Sequence, residues 1–406
     1  MIKYIQTQKS DDCCGCRACE QVCSHQAITF HEDIEGFIYP ILNDEKCVDC
    51  GLCELVCPLE HPSQVKNNKP IAIYAAQLKD KDKLLKSSSG GVFTAIAEYV
   101  ILSGGVVFGA AFTDNLVVKH IEVDTIEGLF RLRGSKYLQS EMGTCMTEIK
   151  HHLINGRLVY FVGTPCQVAG LKLFLRKTYD NLITSDLVCH GTPSRKIFST
   201  VVKRISEKYN SDVIAYSFRD KKTLGWGCSS SSSSIKQPNG KIRYLSYDST
   251  MKSYFNAFIT GNLMRRNCYS CPFATEERTS DVTIADFWGL PKNQFKYFDV
   301  IDGVSLVMIN SVAGERIWDI VSAQVEYRSE TFDHAAKVNG NLRSTSLPGK
   351  DRDISYQLAF KDIQGFEKYF LGGSPVIVRT KDCIQRFVHR FKFLYKVYRF
   401  IKYQVI

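Results

Sequence analysis

Apolar residues from position 71 onward fall into two rhythms, short runs suited to strands and three- and four-residue spacings suited to helices. IAIYAAQL, opening at Ile71, predicts a strand. Val92 to Leu102 predicts a helix, Val106 to Phe112 and Leu116 to Val123 two strands, and Met142 to Ile154 a helix. Leu158 to Val162 and Leu182 to Cys189 continue as strands, followed by helices from Pro165 and Pro193. Strands alternating with helices of this length predict a mixed or parallel sheet with covering helices, an α+β or mixed α/β fold.

After Tyr209 the rhythm changes. Val213 to Phe218 predicts a strand, and Cys228 to Gln237 is expected to pair with Lys241 to Ser246 across the turn Pro238-Asn239-Gly240-Lys241. Six serines, Ser229 to Ser234, suggest a solvent-facing edge strand or a loop and carry no assigned chemistry. Upstream, GFIYPIL (Gly36 to Leu42) predicts a short strand pair. EHPSQVKNNKP (Glu60 to Pro70), polar with two prolines, predicts a linker. Val92 to Phe112 is apolar enough to raise a membrane span, but Glu98 and Gly104-Gly105 interrupt it, so a buried helix followed by a strand is expected.

Length and charge narrow the class. The chain has 406 residues, enough for about two to three domains. Its net charge of +10 suits an acidic redox partner, nucleic acid or anionic lipid, and the sum alone does not choose. MIKYIQTQKSDD lacks the apolar core of a signal peptide. Sixteen cysteines are too few for a disulfide scaffold. Nine of them lie in the first 57 residues, which points to metal and a reducing, cytoplasmic compartment.

Those nine include one pattern twice, Cys13-x2-Cys16-x2-Cys19-x3-Cys23 and Cys47-x2-Cys50-x2-Cys53-x3-Cys57-Pro58. Three thiolates at this spacing wrap one iron–sulfur cube, and the fourth reaches the other cube. One 4Fe–4S cluster would take Cys13, Cys16, Cys19 and Cys57, and the second Cys47, Cys50, Cys53 and Cys23. Structural zinc gains nothing from the interleaved fourth cysteine, and a disulfide framework would not repeat so regularly.

Further candidate chemistry lies at predicted strand ends. Ser87-Ser88-Ser89-Gly90-Gly91 precedes a helix, and hydroxyls, glycines and a helix N-terminus together suit phosphate oxygens; a serine-rich cap looks the same. Gly134-Ser135-Lys136-Tyr137 offers a second turn with a cation and a ring, or a plain surface turn. Gly163-Thr164-Pro165-Cys166 and Gly191-Thr192-Pro193-Ser194 echo one another, each with Thr as candidate N-cap and Pro in the first turn. Both would meet at the carboxyl edge of the sheet, the usual ligand crevice. Cys166, Cys189, Cys268 and Cys271 gathered there would suit a third 4Fe–4S cluster or zinc. A low-pKa nucleophile at Cys166 and plain buried thiols stand as alternatives. Cys14, Cys145, Cys228 and Cys383 have no place in the pattern and are expected to be plain thiols. His190, Lys136 and Asp286 are the candidate proton donors.

Taken in order, these motifs resemble the beta subunit of coenzyme F-420-reducing hydrogenases and dehydrogenases, a family that includes 7-hydroxymethyl chlorophyll a reductase and ferredoxin-dependent divinyl chlorophyllide reductases. The cysteine run, SSSGGVFT, GSKYLQS, FVGTPCQVAGLK, LVCHGTPS, CYSCPF and DVTIADFWG carry the resemblance over roughly residues 10 to 310. It implies FAD and iron–sulfur clusters that pass electrons between a ferredoxin or other redox protein and a small organic acceptor. Carried over, Ser88, Ser89, Gly90, Gly91, Gly134, Ser135, Lys136, Tyr137 and Thr164 would hold FAD. Cys166, Cys189, Cys268 and Cys271 would hold the inner cluster. Ser24 stands where the first run often has proline, and the tail lies outside the resemblance. The family spans deazaflavins and tetrapyrroles, and many bacterial relatives look like members of surface-polysaccharide gene clusters, so a sugar-linked substrate is also open.

The expected organisation is a ferredoxin-like domain at residues 1–62, an FAD domain at 71–375 and a basic amphipathic tail at 376–406. The expected function is an iron–sulfur flavoprotein oxidoreductase with no nucleic-acid partner. An electron-transfer subunit of a larger redox complex and a redox sensor are the competing classes, and the flavin site at a crevice separates the first from both. In the tail, Arg386, Arg390, Lys392, Lys396, Arg399 and Lys402 alternate with an aromatic and aliphatic stripe. The stripe suits a helix packed on the domain, or one lying peripherally on the inner membrane face.

Overall fold

The computed structural model describes residues 1–67, 69–221, 225–226 and 231–373, with 380 and 384. The predicted tail helix and residues 228–230 lie outside the described residues. Near the N-terminus, β1 (Ile28–Glu32) pairs antiparallel with β2 (Ile38–Leu42). GFIYPIL is therefore one strand, not a pair. Its partner is ITFHE, whose alternating exposed face masked the signal.

The strands that follow are β3 (Ala72–Leu78), β4 (Val106–Phe112), β5 (Val118–Val123), β6 (Val159–Gly163) and β7 (Leu182–Leu187). Then come β8 (Asp212–Ser217), β9 (Ser232–Lys236), β10 (Ile242–Leu245), β11 (Val282–Asp286), β12 (Ser305–Ile309) and β13 (Val325–Ser329). One eight-stranded sheet runs β13-β3-β12-β11-β7-β6-β4-β5, parallel across β11, β7, β6 and β4 and antiparallel elsewhere. Its central strands are covered on both faces, which is why they appear in sequence as continuous apolar runs.

Helices Val92–Leu102 and Val312–Val321 cover one face through Ile96, Val100, Ile317 and Trp318. Cys145–Ile154 and Pro165–Leu175 cover the other through Met146, Ile149, Val168 and Leu171. Ala18, Ile28 and Val56 of the N-terminal segment join that second core. Each such side chain contributes roughly 1.5–3 kcal/mol on burial, so the N-terminal segment is fastened to the sheet rather than tethered to it. The apolar stretch 92–112 resolves into the expected buried helix and strand. Among the described residues no helix is long and apolar enough to cross a membrane.

The second sheet runs β10-β9-β8 and packs on helices Arg195–Tyr209, Ser249–Ile259 and Ile363–Phe370. The serine strand is its centre, not an edge. Ser232 and Ser233 are buried, and the Ser232 hydroxyl donates to Asp220 at 2.7 Å. The segment 60–70 is also more fixed than its composition suggests: Val65 is buried, and the Asn67 side chain donates to the Ser280 carbonyl at 2.6 Å.

The parallel strands β4, β6, β7 and β11 deliver their carboxyl ends to one edge of the large sheet. β12, antiparallel to β11, starts there with Ser305 opposite Asp286.

Candidate redox centre

The two cysteine runs share one backbone design. Gly15 and Arg17 have φ of +71° and +64°, and Asp49 and Gly51, at the same places in the second run, have +51° and +72°. These left-handed residues curl the chain so that successive cysteines face inward, and a short helix follows each curl, Ala18–Val22 and Leu52–Leu55. The Gly15 N–H reaches Cys13 Sγ at 3.3 Å, and the Ala27 N–H reaches Cys23 Sγ at 3.3 Å. The two sets differ in depth. Cys13, Cys16 and Cys19 are buried, Cys23, Cys47, Cys53 and Cys57 are half-buried, and Cys50 is exposed.

Cys166 stands in the first turn of Pro165–Leu175, just beyond β6, and Cys189 two residues beyond β7. Thr164 caps that helix: its N–H donates to Gln167 Oε1 at 2.9 Å, and its Oγ1 lies 3.2 Å from Cys166 Sγ. Thr164 thus sits beside a thiol, away from the serine turn. Cys268 and Cys271 ride on the 3-10 turn Arg266–Ser270 and its exit. Arg278 braces that loop, donating to the Phe273 carbonyl at 3.1 Å, the Leu187 carbonyl at 2.9 Å and Asp186 at 3.2 Å. Cys189 feels the charge of Cys268, Cys166 and Cys271 together, so the four thiols share one site. Backbone N–H groups of Gly191, Thr192, Phe273 and Ala274 point at these sulfurs.

Burial pushes Cys271 up to about 11 and Cys268 up to about 12. A hydrogen bond with Cys14, and then burial, push Cys166 well above its ordinary value. A low-pKa nucleophile at Cys166 is therefore set aside. Among the described residues no three candidate ligands converge tightly enough for a single metal ion. Four thiols with inward N–H donors suit an iron–sulfur cube, whose sulfurs accept such bonds.

Cys14, expected to be a bystander, interacts with both Cys16 and Cys166, and Cys13 feels the charge of Cys166. The burial of the first set is thus burial against the second. A Cβ on Gly170, in the Cys166 helix, would come 3.0 Å from Cys16 Sγ.

Along the same edge the serine turn and the Gly134 turn meet. Ser88 Oγ accepts from the Ser135 N–H at 2.8 Å and lies 3.2 Å from the Ser135 hydroxyl. Gly90 donates to Ser305 Oγ at 2.9 Å, and Ser89 Oγ to the Val304 carbonyl at 3.0 Å. Gly91, at φ +87°, turns the chain into its helix. Ser88 and Gly134 line a cavity of about 370 Å³ with Arg133, Arg219, Lys221 and Ser233. Cationic groups, hydroxyls and a glycine turn suit a diphosphate there.

The Lys136 ammonium donates to the carbonyls of Arg131, Leu132 and Arg133, and burial lowers it to about 7. It braces the turn instead of facing the cavity. Tyr137 packs its ring on Phe258 at 5.0 Å and accepts from Arg219 at 3.3 Å. Asp286 pairs with Arg219 at 3.0 Å and accepts the Trp226 indole N–H, and Trp226 stacks on Trp288 at 4.8 Å. His190 lies apart from the cavity, its ring nitrogens 3.0 Å from the Ile259 carbonyl and 3.1 Å from Ser346 Oγ. Both ring nitrogens are thus engaged by residues far along the chain.

Sequence reasoning missed Arg219, Lys221, Trp226, Cys14, Gln139 and Arg265. The last stood in plain view in the basic run RRNCYSC, with nothing in that run to mark which arginine turns inward.

Residues 12–60 match a 4Fe-4S dicluster domain, and residues 156–334 match the family model for the C terminus of the coenzyme F420 hydrogenase/dehydrogenase beta subunit. No curated protein matches the chain. Among solved structures it is similar to a chain of the F420-reducing [NiFe] hydrogenase complex from Methanosarcina barkeri. Identity is 19%, the TM-score is 0.42, and the match covers 75% of this chain and 92% of that one. Residues 156–334, behind an N-terminal dicluster domain, are thus similar to the C terminus of the coenzyme F420 hydrogenase/dehydrogenase beta subunit.

Proposed function

We propose that the chain is an iron–sulfur flavoprotein oxidoreductase that carries electrons from a redox protein to a small organic acceptor. The observation that carries this reading is the closeness of the two thiol sets: a Cβ on Gly170, in the Cys166 helix, would come 3.0 Å from Cys16 Sγ. Residues 1–62 hold two 4Fe–4S clusters, on Cys13, Cys16, Cys19 and Cys57 and on Cys47, Cys50, Cys53 and Cys23. Residues 71–375 hold a third on Cys166, Cys189, Cys268 and Cys271, and FAD at the turns of Ser88 to Gly91 and Gly134 to Tyr137. Bound there, the flavin supplies the change from single electrons to a two-electron transfer.

The chain's own residues do the rest. Cys50, exposed, marks the face where a ferredoxin-type partner docks, and the buried set beneath it leads inward. Arg133 and Arg219 offset phosphate charge at the cavity, and Lys221, whose ammonium donates to the carbonyls of Leu84, Ser89 and Asp302, braces its wall. Asp286, held between Arg219 and Trp226, fixes the stacked tryptophans as an aromatic wall. The family's description as a subunit supports a second reading, an electron-transfer subunit of a larger redox complex.

Anaerobic purification with iron and flavin analysis tests the reading. Wild-type protein should hold about twelve irons and one FAD, and Cys268→Ala about eight irons with the dicluster spectrum intact. Eight irons in fully loaded wild type would remove the inner cluster. Reduced flavin that only a protein partner reoxidises would move the function to the relay.

A further inference from the structure

Among the described residues the chain buries several arginines, and all but one are matched by a carboxylate. Arg278 has Asp186 at 3.2 Å, Arg352 has Glu35 at 2.6 Å and Arg219 has Asp286 at 3.0 Å. Arg265 is 1% exposed and forms no ion pair among the described residues. Its Nε donates to the Cys13 carbonyl at 2.7 Å, Nη1 and Nη2 both donate to the Ile38 carbonyl at 3.0 Å, and Nη1 lies 3.4 Å from Gln139 Oε1. The guanidinium lies over the Tyr39 ring at 4.0 Å. Every one of these partners is neutral. Arginine keeps its proton in proteins, and an ionised group taken out of water is costly unless an opposite charge meets it.

The negative charge it faces is that of the thiol sites. On one side it holds the backbone of Cys13; on the other its own carbonyl accepts from the Cys268 N–H at 3.0 Å. Gly15 makes room: a Cβ there would meet Gln139 Nε2 at 2.1 Å and Arg265 Nη1 at 3.2 Å, and its φ of +71° suits glycine. A cube with four thiolates is anionic in both oxidation states and gains one more negative charge on reduction, so a nearby buried cation favours the reduced form.

We propose that Arg265 is the shared counter-charge of two clusters, the one on Cys13, Cys16, Cys19 and Cys57 and the one on Cys166, Cys189, Cys268 and Cys271. It is a positioning residue that raises both reduction potentials together. This rests on the cluster assignment above. The step needs no co-reactant: one cluster is oxidised by one electron and the other reduced by it.

The test is a redox titration of anaerobically purified holoprotein followed by electron paramagnetic resonance, on wild type, Arg265→Gln and Arg265→Lys. Arg265→Gln should lower the reduced-to-oxidised ratio of those two clusters at least tenfold at a fixed potential, 59 mV for a one-electron couple. The cluster on Cys47, Cys50, Cys53 and Cys23 should not move. Arg265→Lys, which keeps the charge without the fork, should stay within threefold of wild type. A purely structural brace would lower stability or iron content without singling out two clusters of three. If Arg265→Gln takes up no iron, the lysine variant decides, and a tenfold fall there overturns the charge argument. About twelve irons in wild type with unmoved potentials in Arg265→Gln overturns the role of Arg265 and leaves the cluster reading standing. About eight irons in wild type removes both.

Discussion

Replacing Gly90 by alanine adds one methyl group at the junction of the serine turn and the sheet. Its Cβ would lie 2.1 Å from the Ala76 carbonyl oxygen, 2.5 Å from the Ser305 nitrogen and 3.0 Å from Ser305 Oγ. The first two are backbone atoms of β3 and β12, which are paired with each other, so relief requires the turn itself to move. Overpacking of this kind costs about 1–3 kcal/mol. A displaced turn also loosens the Gly90 N–H to Ser305 Oγ bond at 2.9 Å and the Leu78 N–H to Gly90 carbonyl bond at 2.8 Å. Each buried group left unpaired costs about 1–3 kcal/mol more. The sum, about 3–9 kcal/mol, is a large share of the 5–15 kcal/mol typical of a native domain. Urea unfolding followed by far-ultraviolet circular dichroism should show the midpoint falling by roughly 1–3 M. Flavin absorbance should fall with it, while the dicluster spectrum persists. Gly134→Ala is the control: no atom lies within 4 Å of its Cβ, and the φ of +87° alone costs about 1–2 kcal/mol. A Gly90→Ala protein that unfolds at the wild-type urea concentration with full flavin would refute both the contact and the phosphate assignment.

Two further outcomes follow from buried charge. Burial, against a weaker raising effect of the Val162 carbonyl, lowers His120 from 6.5 to about 4, so the unfolded chain binds the proton that the folded one refuses. Stability should therefore fall as pH drops from 6.5 toward 4, by about 3 kcal/mol in all, and His120→Gln should flatten the thermal melting profile over that window. Asp186 accepts from Arg278, Thr279 and Thr283, with its side chain fully buried. Asp186→Ala should cost about 3–5 kcal/mol in the same urea assay by leaving the guanidinium unpaired, and an unchanged midpoint would refute the pairing.

What the sequence disclosed was local. The doubled cysteine run was legible because its spacing is fixed by the size of a cube. The Gly163 to Cys166 turn was legible because a strand, a capping threonine and a proline stand in order. The matching expectation for Thr192 fails: its carbonyl is taken by the Arg265 N–H, Pro193 bridges to Met264, and Ser194 caps the helix in its place, accepting from Ile197 at 3.2 Å. The serine strand was misread because it lies at the centre of its sheet with the Ser232 hydroxyl on Asp220, which composition does not reveal. His190 drew notice for its place between Cys189 and Gly191, yet its partners, Ile259 and Ser346, come from far along the chain. Arg265 and Gln139 were invisible for the same reason: their contacts lie in the N-terminal hairpin and the first cysteine loop.

The seat of β3 between β12 and β13 bears on how the molecule is made. Residues 72–78 leave the ribosome early, yet their partners are 305–309 and 325–329, and Gln77 reaches across 222 positions to Asp299. Loops of that span close slowly, and an unpaired apolar strand must wait through the interval. The cysteine runs before it need no such delay, since all eight of their cysteines lie within residues 13–57. Nascent chains should thus acquire iron at the first two sites while β3 is still open, with the inner site following only after Cys268 and Cys271 emerge. A ribosome stalled before residue 268 would then carry the first two sites ahead of the rest of the molecule, and an arrested-chain series read by iron content would display that order of assembly.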